Sequence, residues 1–496
     1  MTETDVQKFY KNATVFLTGG TGFLGKILIE KLLRSTDVKL LYILIRDKKG
    51  KDIHSRIDEL FDDVIFDRLK VECPKFRHKI EAIPGDCSCG GLGLNLIDRQ
   101  RIVATTNVVF HVAATVRFDE NLKLAYSINV NATKEMLDLA RQMKELKAIM
   151  HVSTAYSHCH LEEVEEKFYD HPINYEEVGI LLEKLTKNEA EDLTPRILGK
   201  WPNTYTFTKA LAESLIRETG SGLPIGVFRP AIVLSTYKEP IPGWVDNMYG
   251  PTGVCAGCAS GLLRVTIIDS GKTADLVPVD TCVAGLIASA WDVGTKTIER
   301  TSENIPIYNY VSSPESPLLW GEYQAINVYH GTRFPLSNFF WSTNITTTTD
   351  KRVYNFLTIL YHILPALFFD TLALVTGHKP RLLKMYKKIH KLISVINYFC
   401  VREWKFSNDN VQKLYLKLSP EDRKLFPVSM ENVNWMMFFK NYFLGMRRYL
   451  LKDPDSTIQT AKIKLERIQW IDTVLITILK SCLVILGYYF FSKLVY

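Results

Sequence analysis

Apolar residues recur along the first two-thirds of the chain in two alternating patterns. Short continuous runs, rich in β-branched and aromatic residues, occupy 15–17, 40–45, 79–86, 108–114, 148–154, 225–234, 276–280 and 306–311. Runs of this length and composition read as strands, most of them buried on both faces. Between them, 27–33, 53–79, 130–143 and 203–213 read as helical. This alternation predicts right-handed βαβ units and an α/β, Rossmann-like, doubly wound parallel sheet. Ligands of such sheets sit outside the carboxyl ends of the strands. Beyond residue 350 the pattern changes. Residues 353–377 are mostly apolar but hold Pro365 and Asp370, 381–391 are basic and amphipathic, and 473–494 are apolar around Lys480 with Asp472 at the edge.

The first strand runs directly into Thr18-Gly19-Gly20-Thr21-Gly22-Phe23-Leu24-Gly25 and then a helix. Glycine is needed where backbone turns sharply and approaches a ligand closely. A helix beginning there aims free N–H groups and its positive end at an anion, which suits a dinucleotide pyrophosphate. Thr18, Gly19, Gly22, Phe23, Leu24 and Gly25 are therefore cofactor-binding candidates. The second strand ends in Arg46-Asp47-Lys48-Lys49. In this fold that position meets the adenosine ribose, and basic residues there accommodate a 2′-phosphate. Arg46 with Lys48 predicts NADPH, with Asp86 toward the adenine side. Ala113 and Ala114, small residues ending the fourth strand, suit backbone lying against the cofactor, and Pro230 with Ile232 suits a fixed turn near the nicotinamide.

Tyr205 and Lys209 lie four apart on a helix, hence on one face. An ammonium beside a phenol lowers its pKa and fits it for proton exchange with a carbonyl oxygen while a nicotinamide supplies hydride. A hydroxyl at the end of the fifth strand holds the same oxygen: Thr154, with Ser153 as the alternative. The predicted catalytic set is Thr154, Tyr205 and Lys209.

The 496 residues are 47% hydrophobic and 23% charged, enough for a sizeable core. The charge is unevenly spread: residues 351–470 hold 21 Lys and Arg against 9 Asp and Glu. Because apolar residues surround this basic region, it points to an anionic membrane surface and not to nucleic acid. Nine cysteines with no zinc spacing, and a polar first stretch at 1–11, predict a reduced cytosolic setting and no metal site.

Taken together, several stretches resemble the reductase domain of eukaryotic, alcohol-forming fatty acyl-CoA reductases, within the extended short-chain dehydrogenase/reductase class. Besides the glycine loop and the Tyr205/Lys209 pair, they are His111-Val-Ala-Ala-Thr-Val-Arg-Phe118, His151-Val-Ser-Thr-Ala-Tyr156, Arg229-Pro-Ala-Ile-Val233, Gly243-Trp-Val-Asp-Asn247 and Leu276-Val-Pro-Val-Asp280. Ala231 departs from the serine common in relatives. The resemblance implies reduction of a long-chain acyl-CoA to a primary alcohol with two NADPH, with the family's catalytic residues at Thr154, Tyr205 and Lys209. The alternatives are another enzyme of the class acting on a lipid, sterol or sugar, or a catalytically silent lipid-binding relative.

The expected organisation is a reductase domain at 1–345, a smaller helical, membrane-associated domain at 346–455 and a C-terminal membrane anchor at 470–496. In the second, 353–377 is expected to form a bent, membrane-dipping pair or a cover over the acyl channel, since Pro365 breaks an ordinary helix, with a full membrane span or a buried hairpin as the alternatives. The aromatic residues Trp404, Trp435, Phe438, Phe439, Tyr442 and Phe443 are expected in the core. The partners expected are acyl-CoA, membrane lipid and a possible second copy of the chain. The catalytic domain is expected on the cytosolic side of the endoplasmic reticulum, with peroxisome or lipid droplet as alternatives.

Overall fold

The computed structural model describes residues 3–47, 50–296 and 300–495. Lys48 lies outside them, and the side chain of Lys480 is likewise not described. The chain forms two compact units. One is made of Met1–Trp244, Thr273–Leu318 and Arg402–Asn434, the other of Val245–Lys272, Leu319–Val401 and Trp435–Tyr496.

The first unit is built on seven parallel strands: β1 (Thr14–Thr18), β2 (Leu40–Ile45), β3 (Ile80–Pro84), β4 (Val108–His111), β5 (Ala148–Val152), β6 (Ile225–Pro230) and β7 (Ile307–Tyr310). Their order is β3-β2-β1-β4-β5-β6-β7, so the direction of winding reverses between β1 and β4. Leu17 of β1 pairs with Ile43 on one side and Phe110 on the other, both fully buried. Sheet strands covered on both faces need such unbroken apolar runs. Helix α1 (Phe23–Ser35) follows the glycine loop, and helix α2 (Thr204–Thr219) carries the Tyr/Lys pair. Phe207, Leu211 and Leu215 of α2 point into the core with Met136 and Leu137 from the helix Ala132–Ala140.

Several elements differ in extent from the sequence expectation, two of them by more than a shortened end. The run 225–234 splits: β6 ends at Pro230, and Ile232–Leu234 pairs with Leu276–Pro278 in a separate two-stranded sheet. The backbone N–H of Ala231 still donates to Tyr310, but that of Ile232 turns to the Asp275 carbonyl. The helix expected from 130 begins at Leu122 and passes through a π-helical turn at Ser127–Asn131.

In the second unit, helix α3 (Lys351–Val375) is long and apolar enough to cross a membrane. Pro365 does not break it. A π-helical turn, Ile359–Ile363, precedes the proline and shifts the hydrogen-bond ladder where its missing N–H would leave a gap. Leu364, Leu367, Phe368 and Leu372 stand exposed on α3. The carboxylate of Asp370 accepts hydrogen bonds from the N–H groups of Arg381, Leu382 and Leu383, capping helix α4 (Leu382–Cys400). Helix α5 (Ile458–Val495) spans 38 residues. Asp472 on it accepts from Ser342 Oγ at 2.8 Å and pairs with Arg264 at 3.0 Å. Phe438, Phe439, Tyr442 and Phe443 are buried. Trp404, in the first unit, is buried too and donates to the Cys159 carbonyl.

Candidate active site

The glycine loop is tight because Gly19, Gly22 and Gly25 face backbone. Gly19 has φ +76°, and a Cβ there would lie 2.7 Å from the Ala113 nitrogen. A Cβ on Gly25 would lie 2.2 Å from the Gly19 carbonyl oxygen. Gly22 is the N-cap of α1 and supplies no side-chain bond, so the first N–H groups of the helix stay open to an anionic ligand. These features fit a dinucleotide pyrophosphate, for which a side chain at either position would fill the cradle. Thr18 has a different task from direct contact: its Oγ1 accepts from Ala113 N at 3.2 Å and lies 2.9 Å from His111 Nδ1, tying the ends of β1 and β4 together. Phe23, in the first turn of α1, stacks on Trp244 with centroids 5.5 Å apart; Leu24 beside it is half-buried. The indole N–H of Trp244 donates to Asp63, which also pairs with Lys26 at 2.8 Å.

At the end of β2, Arg46 is exposed, with its Nε 3.8 Å from the Asp86 carboxylate. Asp86 follows β3 and accepts from the N–H and hydroxyl of Ser88, each at 2.8 Å. A guanidinium exposed at this edge has the shape for two-pronged contact with a phosphate. Ala113 and Ala114 are half-buried at the end of β4, Pro230 is buried, and Ile232 is half-buried.

The helix α2 starts one residue before Tyr205 because Asn203 caps it, accepting from Thr206 N at 2.9 Å. Tyr205 therefore sits in the first turn, its ring stacked on Phe118 at 5.8 Å. Its phenol faces Thr154, whose hydroxyl pulls its pKa downward and also accepts from Tyr156 N at 3.2 Å. One turn on, Lys209 Nζ donates to the Val152 carbonyl at 2.7 Å, in a wholly buried position. The three sequence-predicted residues are thus brought to one place, at the carboxyl end of β5. Thr154 and Ser153 are separated by their partners: the Ser153 hydroxyl donates to the buried carboxylate of Glu213, leaving Thr154 for the tyrosine.

The electrostatics differ from the sequence expectation. Burial pushes the Tyr205 phenol up to about 12, against a smaller downward pull from the Thr154 hydrogen bond. Burial also lowers Lys209 to about 8, opposed by the negative charge of Glu213. The ammonium donates to the Val152 carbonyl and not to the phenol, and burial decides the direction of the phenol's shift. A phenol that keeps its proton at neutral pH is a donor, the form that reduction of a carbonyl requires.

A model of the NAD-binding family NAD_binding_4, described as male sterility protein, matches residues 17–286, and a second male sterility protein model, Sterile, matches 361–453. The chain is 46% identical over 467 residues to fatty acyl-CoA reductase wat of Drosophila melanogaster, covering 94% of this chain and 90% of that protein. It is 38% identical, with the same coverage, to fatty acyl-CoA reductase 1 of Homo sapiens. This chain belongs to the fatty acyl-CoA reductase family. Among solved structures, it resembles the terminal R domain of the myxalamid PKS-NRPS pathway, with a TM-score of 0.57 at 18% identity, over 90% of this chain and 93% of that one. The reductase domain of a nonribosomal peptide synthetase from Mycobacterium tuberculosis gives the same score and identity, over 90% and 96%. At such identity the likeness speaks for the reductase fold alone.

Several residues around this family site went unread in the sequence. Glu213 binds Ser153, Arg229 and His158. Asn129, in the π-helical turn, accepts from Thr115 N and donates to Thr208. The carboxylate of Asp280 accepts three successive N–H groups, from Tyr237, Lys238 and Glu239. One signal was available: Glu213 lies four residues after Lys209, on the same helix face. Among the described residues no cluster of His, Cys, Asp or Glu has the geometry to hold a metal ion.

Proposed function

We propose that the protein reduces long-chain fatty acyl-CoA to the primary fatty alcohol, consuming two NADPH and releasing coenzyme A. The observation that carries this reading is the meeting of Thr154 and Tyr205, with Lys209 one turn behind, at the strand end beside the glycine cradle. Gly19, Gly22 and Gly25 with the N-terminus of α1 would hold the pyrophosphate, and Arg46 the 2′-phosphate, with Asp86, Ala113, Ala114, Pro230 and Ile232 along the rest of the cofactor. NADPH, when bound, supplies the hydride. Tyr205 and Thr154 hydrogen-bond the thioester carbonyl oxygen and stabilise the charge that develops on it. Tyr205 gives that oxygen its proton, and Lys209 keeps positive charge behind the phenol while the proton leaves. The resulting hemithioacetal breaks its C–S bond, giving aldehyde and the thiol of coenzyme A. The same three residues then serve the aldehyde carbonyl in a second reduction. No cysteine acyl-enzyme is needed.

Attachment to a membrane belongs to the same proposal. It is supported by the length and exposed leucine and phenylalanine side chains of α3, by the basic stretch 381–391 on and before α4, and by the apolar composition of 473–494. A cytosolic catalytic face on the endoplasmic reticulum agrees with that basic stretch. The test is to supply membranes carrying the protein with NADPH and acyl-CoAs of graded length, and to identify the products. Fatty alcohol with two NADPH oxidised per thioester is expected. Accumulation of aldehyde alone, or no NADPH oxidation with any acyl-CoA, overturns the reading.

A further inference from the structure

Three successive residues at the end of β5 are each gripped by a different side chain of α2. The Val152 carbonyl accepts from Lys209, Ser153 donates to Glu213, and the Thr154 hydroxyl faces the Tyr205 phenol. Two of these grips belong to the proposed chemistry; the middle one does not. Glu213 is 1% exposed and is itself locked on the far side, where Arg229 Nε donates to it at 3.0 Å and His158 Nε2 lies 3.3 Å away. Arg229 is fully buried at the end of β6 and also donates to the carbonyls of Glu165 and Lys167. A buried ion pair with this many hydrogen bonds is well satisfied, but as a source of stability alone it is a poor bargain against an apolar core. Its position beside the strand end suggests what it does.

We propose that Glu213 is a positioning residue of the reaction, holding the strand end so that Thr154 meets Tyr205 and keeping a negative charge one helical turn behind Lys209. This rests on the reading of the site given above. Lys209 is faced by His111 from β4, His151 from β5, and Tyr205 and Glu213 from its own helix. Both histidines are buried, and burial holds them neutral, His111 at about 3 and His151 well below the usual range. Among the described residues, Glu213 is the anion that opposes the burial lowering Lys209. Removing that charge lowers Lys209 further, so the ammonium is lost at a lower pH.

The test compares kcat, KM for NADPH and the pH profile of acyl-CoA reduction in the wild type and four variants. Ser153→Ala cuts the grip and leaves the Glu213–Arg229 pair intact. It is expected to lower kcat about tenfold with KM for NADPH unchanged. Glu213→Gln is expected to move the alkaline fall in kcat to lower pH, and Glu213→Asp to restore it. Where Glu213→Gln leaves Arg229 uncompensated and the chain fails to fold, the double variant Glu213→Gln with Arg229→Gln removes both charges and is expected to show the same displaced limb. Wild-type kcat in Ser153→Ala overturns the proposal, as does an unmoved alkaline limb in Glu213→Gln or, where that variant does not fold, in the double variant. A wild type that oxidises no NADPH with acyl-CoA sinks the proposed function instead, so the two failures are told apart.

Discussion

Gly25→Ala isolates the physical claim that the glycine loop is a cradle shaped for a cofactor. The added Cβ would lie 2.2 Å from the Gly19 carbonyl oxygen, 2.7 Å from Gly20 Cα and 2.9 Å from the Gly19 carbonyl carbon. All three are backbone atoms, so no side chain can swing away. Ordinary contact lies near 3.5 Å, which obliges the loop to move by about 1 Å. Overpacking of a rigid site costs about 1–3 kcal/mol. If that cost falls on the bound loop, NADPH affinity drops about 5- to 150-fold. If it falls equally on the free and bound fold, the protein melts lower with and without the nucleotide, and NADPH raises the melting temperature by as much as in wild type. A fluorescence titration with NADPH, run beside thermal unfolding with and without the nucleotide, separates the two. Gly90→Ala is the control, because nothing lies within 4 Å of a Cβ at Gly90. A Gly25→Ala protein with wild-type affinity and melting temperature refutes the cradle.

Three further outcomes are expected. Tyr205→Phe keeps the stack on Phe118 but removes the proton donor, so kcat falls by about 100-fold or more with NADPH binding retained; steady-state kinetics with a nucleotide titration checks this. Arg46→Ala, at an exposed guanidinium, weakens NADPH by about tenfold and leaves NADH nearly unchanged, which competitive titration of the two nucleotides reads directly. For Glu239, burial acts to raise its pKa, but Lys31 and Arg34 together win and hold it at about 2, below the ordinary 4.5. A depressed acid stabilises the fold above its ordinary pKa, so the advantage of wild type over Glu239→Gln is full above about pH 4.5 and shrinks as pH falls toward 2. Thermal unfolding across that range, with a constant gap between the two proteins, would contradict the ion-pair account.

The parallel sheet was legible because most strands are predominantly apolar runs, β1 and β2 unbroken ones, and helical or turn-forming stretches stand between them. What escaped reading was side-chain bonding from distant parts of the chain. β4 was expected to reach residue 114, but its ladder ends at His111, since Thr18 takes the N–H of Ala113 and Asn129 that of Thr115. No local pattern announces those bonds. Pro365 read as a helix break, while the neighbouring π-helical turn carries the helix past it. At the site, the spacing of Tyr205 and Lys209 correctly put them on one face, but spacing is silent about burial. Burial reverses the expected direction of the phenol's shift and leaves the lysine bonded to backbone instead. Ser153 and Thr154 were equivalent in sequence until Glu213, 60 residues away, claimed one of them.

The two units interleave along the chain, which changes hands after residues 244, 272, 318, 401 and 434. During synthesis the N-terminal sheet strands emerge early, yet their unit lacks its last segment until residue 434 has left the ribosome. The other unit, begun at residue 245, is complete only with the C-terminal helix. Nascent chains of intermediate length therefore expose unfinished apolar surface in both, a state that chaperones attend. No single truncation point yields either unit by itself, free of segments of the other, and a fragment ending after the matched stretch 17–286 would lack β7 and the 402–434 segment of its own unit.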